Sequence, residues 1–200
     1  MTEQFVQVTE GTGKKLHTYQ RSIGGNLVQD EVVVRGEPYL AAYCARTAGI
    51  STATAASHTL QIMAGASLRL YIREIHIWQM AAASAAASGR FDVVRLTTAG
   101  SGGTAIPTPT FDPADTSAGA TAQALPSTKG TEGDIIMFLP VGFSGALPAT
   151  EAHTVRWVAS DMSKAIIVAA GTSNGIAIKC ASAIASATVA IDVVFSEASF

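Results

Sequence analysis

The four histidines are the first candidates for metal chemistry: His17, His58, His76 and His153. None of them lies two or four residues from another histidine or from a cysteine. Those spacings place two ligands on one face of a strand or a helix, as many metal sites require. The sequence therefore predicts neither a metal site nor a metal cofactor.

Three short stretches could contribute to hydrolysis or phosphate binding. Gly142-Phe143-Ser144-Gly145 approaches a serine nucleophile motif but lacks its full pattern and a following helix. Asp112 and Asp115 could pair as carboxylates for glycoside hydrolysis, but capping of a single helical turn at Pro113 explains them more simply. Gly100-Ser101-Gly102-Gly103 is not followed by a helix pattern or a lysine, as a phosphate-binding loop would be. We predict that the protein is not an enzyme and needs no cofactor.

One short segment combines basic and aromatic side chains: Lys14, Lys15, His17, Tyr19 and Arg21. Such a cluster could contact nucleic acid, but acidic residues flank it, and a phosphate-binding stripe would exclude them. A solvated patch is the plain alternative. We predict instead that the segment docks onto a protein surface through salt bridges and the tyrosine ring.

The two tryptophans, Trp78 and Trp157, both lie in strand patterns. Either indole could stack on a sugar ring, because it offers a flat apolar face with a polar edge. The loops of this sequence are nearly free of aromatic residues, whereas sugar-binding grooves usually have several. Anchoring in a core or an interface is therefore the favoured interpretation.

Alternation of apolar and polar residues indicates that strands position all of these side chains. Leu68, Leu70 and Ile72 alternate with polar residues, and the apolar phase then moves by one residue to Ile75. A one-residue shift predicts a β-bulge near Arg73 and Glu74. Other patterns predict a central strand over 134–141, a tight turn at Asn174-Gly175 and a final strand with Val189, Ile191, Val193 and Phe195 on one face.

Eight or nine short strands without a long helix predict an all-β fold. We expect an antiparallel β-sandwich over residues 38–200, with a jelly roll as the favoured version. Residues 1–37 hold nine of the 28 charged residues and little periodic patterning. They are predicted to form an extended N-terminal arm.

The segment 97–131 contains only three charged residues and four of the seven prolines. Loops of this length are uncommon in compact domains, and a disordered linker would normally carry more charge. We predict an ordered loop that packs against its own domain or against a neighbouring copy. Its proposed self-association residues are Pro107, Pro109, Phe111 and Pro113.

Composition limits the classes of partner. Hydrophobic residues make up 48% of the sequence and charged residues 14%, which indicates a surface largely covered by other proteins. A net charge of −2 gives no overall attraction to nucleic acid or anionic lipid, and no apolar stretch is long enough to span a bilayer. The N-terminus lacks the pattern of a signal peptide. Cys180 is predicted to be a buried free thiol, which favours synthesis in a reducing cytosol, although a Cys44–Cys180 bridge remains open.

Two stretches of this sequence resemble structural proteins of tailed bacteriophages: residues 90–105, from Arg90-Phe91-Asp92 to Gly102-Gly103-Thr104-Ala105, and residues 111–133, from Phe111-Asp112-Pro113 to Gly130-Thr131-Glu132-Gly133. The resemblance implies a virion component made in the bacterial cytoplasm. Among such proteins, jelly-roll decoration (cement) proteins sit on the outer capsid surface as homotrimers and clamp neighbouring major capsid protein subunits. A receptor- or glycan-binding module of a tail or fibre is the alternative expectation, and a hydrolase is a third.

Overall fold

The computed structural model describes residues 18–23, 26–31, 40–145, 154–159 and 165–198. The chain divides into two compact units, Met1–Pro38 and Tyr39–Phe200. All regular secondary structure in the described residues is β, and the strands pair antiparallel, which confirms the predicted fold class. In this part of the chain, no helix has the length and apolar character needed to cross a bilayer.

The first unit contains a two-stranded hairpin of β1 (Thr18–Ile23) and β2 (Asn26–Glu31). The strands pair antiparallel, from Thr18 opposite Glu31 to Ile23 opposite Asn26. The sequence patterns did not reveal this hairpin inside the predicted arm. The role of residues 1–37 as an arm stays a prediction.

The second unit contains eleven strands in the residues that the structure describes. They are β3 (Ala42–Ser51), β4 (Ser57–Met63), β5 (Arg69–Ala81), β6 (Ala87–Leu96), β7 (Thr104–Ile106), β8 (Thr121–Ala124), β9 (Glu132–Phe143), β10 (Thr154–Val158), β11 (Ile166–Val168), β12 (Gly175–Cys180) and β13 (Thr188–Ala198).

These strands form two sheets. The five-stranded sheet has the order β10-β5-β13-β3, with β11 pairing beside β10 along β5, and the six-stranded sheet has the order β7-β8-β4-β12-β6-β9. Apolar side chains from both sheets form one large buried cluster. The second unit is therefore an antiparallel β-sandwich with its core between the sheets.

The pairing of the strands is nested along the chain. The first strand of the sandwich, β3, pairs with the last, β13, and β4 pairs with β12. Inside them β5 pairs with β10 and β11, and β6 pairs with β9. Further pairs, β13 with β5 and β12 with β6, join these ribbons into sheets. The chain therefore pairs as one long double strand that has been wound into two layers.

The final strand and the bulge confirm the predictions made from alternation. Val189, Ile191, Val193 and Phe195 are all fully buried. On the neighbouring strand β5, Glu74 pairs with Val194 and Ile72 pairs with Phe195. Arg73 lies between Ile72 and Glu74 and is therefore the extra residue of a bulge in β5. The bulge compensates for the one-residue shift in the apolar phase of β5. Apolar side chains on both sides of the bulge therefore face the core, and Leu70, Ile72, Ile75 and Ile77 are all buried.

Two local predictions are wrong and a third is confirmed. The strand over 134–141 belongs to β9 at an edge of its sheet, not at the centre, and Pro140 fits an edge because it lacks an N–H. The tight turn before β12 precedes the predicted dipeptide, since the Asn174 N–H donates to the Gly171 carbonyl at 2.8 Å. The single capped turn predicted at Asp112 is present: the Asp115 N–H donates to the Asp112 carbonyl at 3.0 Å, and the Asp112 carboxylate accepts a hydrogen bond from the Ala114 N–H at 2.9 Å.

Candidate interaction surfaces

The long neutral loop, residues 97–131, is ordered by its own domain. Its strands β7 and β8 pair with each other, and β8 extends the six-stranded sheet beyond β4. Between them, the Cys44 N–H donates to the Pro109 carbonyl at 3.1 Å and the Phe111 N–H to the Ala42 carbonyl at 2.9 Å. The loop thereby closes the backbone edges of both β3 and β4, which would otherwise offer unpaired donors and acceptors.

Two buried side chains hold the middle of this loop. The Glu197 carboxylate accepts hydrogen bonds from the N–H groups of Gly119 at 2.9 Å and Ala120 at 2.7 Å. The Tyr43 hydroxyl donates to the Thr116 carbonyl at 3.1 Å, and its ring stacks on Phe195. Burial raises the pKa of the Tyr43 hydroxyl. Both anchors lie in the sandwich, so the loop and the core share contacts.

Glutamine side chains fix the place where the loop leaves β6. Gln61 accepts a hydrogen bond from the Gly100 N–H at 3.1 Å, and Gln123 donates to the Gly100 carbonyl at 2.7 Å. A Cβ atom at Gly100 would lie 2.6 Å from the Thr128 carbonyl oxygen. Only glycine fits between these groups without a shift of the backbone. The Gly100–Gly103 stretch therefore serves close packing.

An ion cluster, His58–Lys129–Glu132–Lys179, lies where the loop returns to the sheet. Lys179 donates to Glu132 at 2.6 Å, Lys129 donates to it at 3.3 Å, and His58 Nε2 lies 3.1 Å from it. Burial alone would raise the pKa of Glu132, but these hydrogen bonds outweigh it and hold the pKa at about 2. Burial lowers the pKa of His58. The cluster joins the loop base to β4 and β12.

The outer face of the five-stranded sheet carries a row of charged side chains. Asp192 of β13 lies between Arg46 of β3 and His76 of β5, and Arg156 of β10 is opposite His76. Arg46 donates two hydrogen bonds to Asp192, at 2.8 and 3.1 Å. Arg156 makes a bidentate pair with Glu74 and lowers its pKa. Both carboxylates of this row are thus paired with a guanidinium.

The two tryptophans occupy different environments. Trp157 packs against the main core as a partly buried side chain, as the favoured interpretation predicts. Trp78 lies on β5 beside His76, and their ring centroids are 4.8 Å apart. Trp78 therefore belongs to the row of polar side chains on the outer face of the sheet.

The opposite side of the sandwich ends in β9, which has exposed apolar side chains. Phe138 is 57% exposed and Ile135 is 47% exposed. The Arg90 guanidinium lies 4.5 Å from the centre of the Phe138 ring, a cation–π contact. Exposed large apolar groups on an edge strand favour contact with another protein.

The proposed docking residues can be placed only in part. Lys14, Lys15 and His17 lie outside the described residues, and the backbones of Tyr19 and Arg21 lie in β1. Their role in docking stays a prediction.

The proposed self-association residues all lie in the loop that closes the β3 edge. Phe111 is 64% exposed there. A pocket of about 190 Å³ opens beside it, lined by Cys44, Arg46, Pro109, Thr110 and Phe111. The loop was predicted to pack on its own domain or on a neighbour, and the hydrogen bonds above establish the first; contact between copies stays a prediction.

The cysteines and the candidate catalytic groups have structural roles in the described part of the chain. Cys44 and Cys180 are both free, and Cys180 is buried as predicted. The backbone of Ser144 exchanges hydrogen bonds with the Gln79 side chain, at 2.9 Å in each direction. Within the described ranges no group of three or more His, Cys, Asp or Glu side chains is arranged to hold a metal ion.

Sequence reasoning missed Glu197 and the ion cluster. A signal for Glu197 was present, because it continues the inward phase of Val193 and Phe195. An acid in that phase must find buried partners. His58 and Glu132 are 74 residues apart in the sequence, and no local pattern relates them.

Comparison with known proteins adds no relative: no protein family, curated protein or solved structure matches this chain.

Proposed function

We propose that the protein is a non-enzymatic virion component of a tailed bacteriophage, a capsid decoration (cement) protein that bridges neighbouring major capsid protein subunits. The observation that carries the proposal is the nested pairing of β3 with β13, β4 with β12, β5 with β10 and β11, and β6 with β9. Nested antiparallel pairing of this kind is typical of jelly rolls, which recur in viral capsid proteins, and it supports the proposal.

The division of the chain into two units supports separate tasks for the arm and the sandwich. In the proposal, the first unit, Met1–Pro38, reaches the capsid surface through the cluster from Lys14 to Arg21. The sandwich supplies a rigid body, since its loop and core share the Glu197 and Tyr43 anchors. A rigid body keeps several arms at fixed separations.

In the proposed mechanism, self-association strengthens binding to the capsid. Three copies that meet near the exposed Phe111 would present three arms, and each later contact with the capsid would then be intramolecular. A protein that binds only the assembled shell stabilises that shell by mass action. The low charge of the whole sequence, 14%, supports a surface covered by copies and by the shell.

Deletion of residues 1–37 tests the proposal directly. We expect the truncated protein to remain a folded homotrimer in sedimentation and to lose its occupancy on purified shells of the phage. Replacing Lys14, Lys15 and Arg21 with alanine should lower occupancy as well, whereas Arg69→Ala, an exposed arginine of the sandwich, should not. Unchanged occupancy after the deletion would contradict the role of the arm, and a monomer would contradict the trimer.

A further inference from the structure

An open pocket lies beside the exposed Phe111 on the surface of the sandwich. Its volume is about 190 Å³, and it is lined by Cys44, Arg46, Pro109, Thr110 and Phe111. Phe111 is 64% exposed, so a large part of its ring is free for contacts outside its own pocket. We propose that each pocket receives the Phe111 ring of a second copy of this chain. This inference rests on the proposed self-association and names the contact that forms it.

Backbone hydrogen bonds form the pocket before a partner arrives. One wall is the strand β3 and the other is the loop. The Cys44 N–H donates to the Pro109 carbonyl at 3.1 Å, and the Phe111 N–H donates to the Ala42 carbonyl at 2.9 Å. These bonds fix the separation of the two walls. A preformed pocket loses little conformational entropy when a ring enters it.

The size and the lining of the pocket suit one aromatic side chain. A volume of about 190 Å³ corresponds to about six water molecules. A phenyl ring that replaces this water would contact the ring of Pro109 and stack on the Phe111 that already lines the pocket. An aromatic pair contributes binding free energy beyond the apolar area that it buries.

The entering ring and the receiving pocket adjoin on each copy, because Phe111 takes part in both. When the ring of one copy enters the pocket of the next, the contact is head-to-tail, and such contacts can close into a cyclic assembly. Adjoining surfaces favour a small assembly, since neighbouring copies then meet around one axis. In the homotrimer proposed above, three Phe111 rings would meet around that axis and fill three pockets.

The charges beside the ring and beside the pocket are complementary. Asp112 follows Phe111 directly and is exposed, whereas Arg46 lines the pocket with a side chain that is 69% exposed. Arg46 gives two hydrogen bonds to Asp192, and a guanidinium has five N–H donors. The remaining donors can bind the Asp112 carboxylate of the copy whose ring fills the pocket. This pairing favours a second copy over an unrelated apolar partner.

Sedimentation of the full-length protein tests the contact. Phe111→Ala removes the entering ring, and the concentration at which the trimer half dissociates should rise at least tenfold. Cys44→Phe fills the pocket and keeps the entering ring, and it should dissociate the trimer as strongly. Phe138→Ala is the matched control, because Phe138 is 57% exposed at the β9 edge, and it should leave the trimer intact. A trimer that survives both Phe111→Ala and Cys44→Phe would overturn the proposal.

The charge pairing is tested by Asp112→Asn. This change keeps an acceptor for the Ala114 N–H and removes only the charge. The trimer should weaken several-fold at low salt, and the difference from the unaltered protein should disappear at high salt. An Asp112→Asn trimer as strong as the unaltered one at low salt would overturn the assignment of Arg46 as its partner.

The reactivity of Cys44 reports directly on whether the pocket is filled. Its thiol lines the pocket, whereas Cys180 is buried and serves as an internal control for unfolding. A maleimide should alkylate Cys44 at least tenfold more slowly in the unaltered trimer than in Phe111→Ala, with Cys180 unreactive in both. Mass spectrometry of the digested protein assigns the labelled thiol. Equal rates at Cys44 would show that the pocket is empty in the trimer and would overturn the proposal.

The contact and the decoration role can fail separately. A trimer with a protected Cys44 that does not occupy shells would contradict the decoration role and support the contact. A monomeric unaltered protein would overturn the contact together with the proposed trimer. Dissociation of the trimer by Phe138→Ala would instead assign self-association to the β9 edge and overturn the pocket contact.

Discussion

The two sides of the sandwich differ in how their edge strands are treated. On the β3 and β4 side, the long loop adds backbone hydrogen bonds, a glutamate anchor and two further strands. On the other side β9, twelve residues long, ends its sheet and exposes Ile135 and Phe138. One side is closed by the chain itself, and the other keeps the features of a surface for a partner.

A low density of charge in a segment does not by itself indicate contact with another copy of the protein. The loop carries only three charged residues over its 35 positions, which favoured contact with another copy as much as contact with its own domain. In the structure its small residues allow close approach to β3, β4 and Gln61. Exposed apolar side chains also occur on β9, at Ile135 and Phe138, although the sequence of this strand favoured a central position.

The largest effect is expected on the closed side. Tyr43→Ala removes a buried ring that stacks on Phe195 and a hydroxyl that holds the loop at Thr116. We expect a loss of about 3–5 kcal/mol in the free energy of unfolding, measured by urea denaturation. Tyr43→Phe keeps the ring and should lose only about 1 kcal/mol. Equal losses in the two variants would show that packing contributes little there.

An intermediate effect is expected from acid, at the ion cluster where the end of the loop meets the first residue of β9. The folded-state pKa of Glu132 is about 2, below the ordinary value of 4.5, so the unfolded state binds the proton more tightly. The stability contributed by Glu132 is therefore complete above about pH 4.5 and is lost as the pH falls toward 2.

Glu132→Gln should cost about 1–3 kcal/mol at neutral pH and should flatten this part of the pH profile. Burial also lowers the pKa of the His58 ring in the folded state. Protonation of this ring therefore also destabilises the folded protein as the pH falls. Denaturation midpoints measured between pH 2.5 and pH 7 provide the test. If stability fell with pH in the same way in the unaltered protein and in Glu132→Gln, the ion cluster would not be the source of the acid sensitivity.

The smallest effect on folding is expected at the open edge. Phe138→Ala removes an exposed ring and its contact with Arg90, which should change the free energy of unfolding by about 0.5–1 kcal/mol. Leu139→Ala, the neighbouring residue that faces the core, should cost about 2–5 kcal/mol. If the two variants were equally destabilised, β9 would not be an edge with one free face.

Local patterns predicted the sandwich well because apolar and polar residues alternate along a strand that has one buried face. The final strand and the bulge at Arg73 follow from that alternation alone. The same rule failed for β9, since its outward side chains Ile135 and Phe138 are apolar although exposed. The sequence alone does not distinguish an apolar residue in a core from one in an exposed interface.

The polar anchors were harder to predict because their partners are distant in sequence. Glu197 binds backbone groups 77 and 78 residues away, and Gln61 binds one 39 residues away. Backbone N–H groups carry no residue-specific signal, so only the fold identifies them as partners. The row of charged side chains on the outer face of the five-stranded sheet has the same origin, since it joins β3, β13, β5 and β10.

The nested pairing also has a consequence for how the protein is made. β13, the last strand of the sandwich to leave the ribosome, pairs with both β3 and β5, and its ion pair with Arg46 spans 146 residues. The five-stranded sheet consequently has no central strand until synthesis of the sandwich is almost finished. Folding should follow translation and be slow, as in other folds dominated by distant contacts. Until then β3 and β5 are unprotected, and nascent chains on neighbouring ribosomes could pair through them.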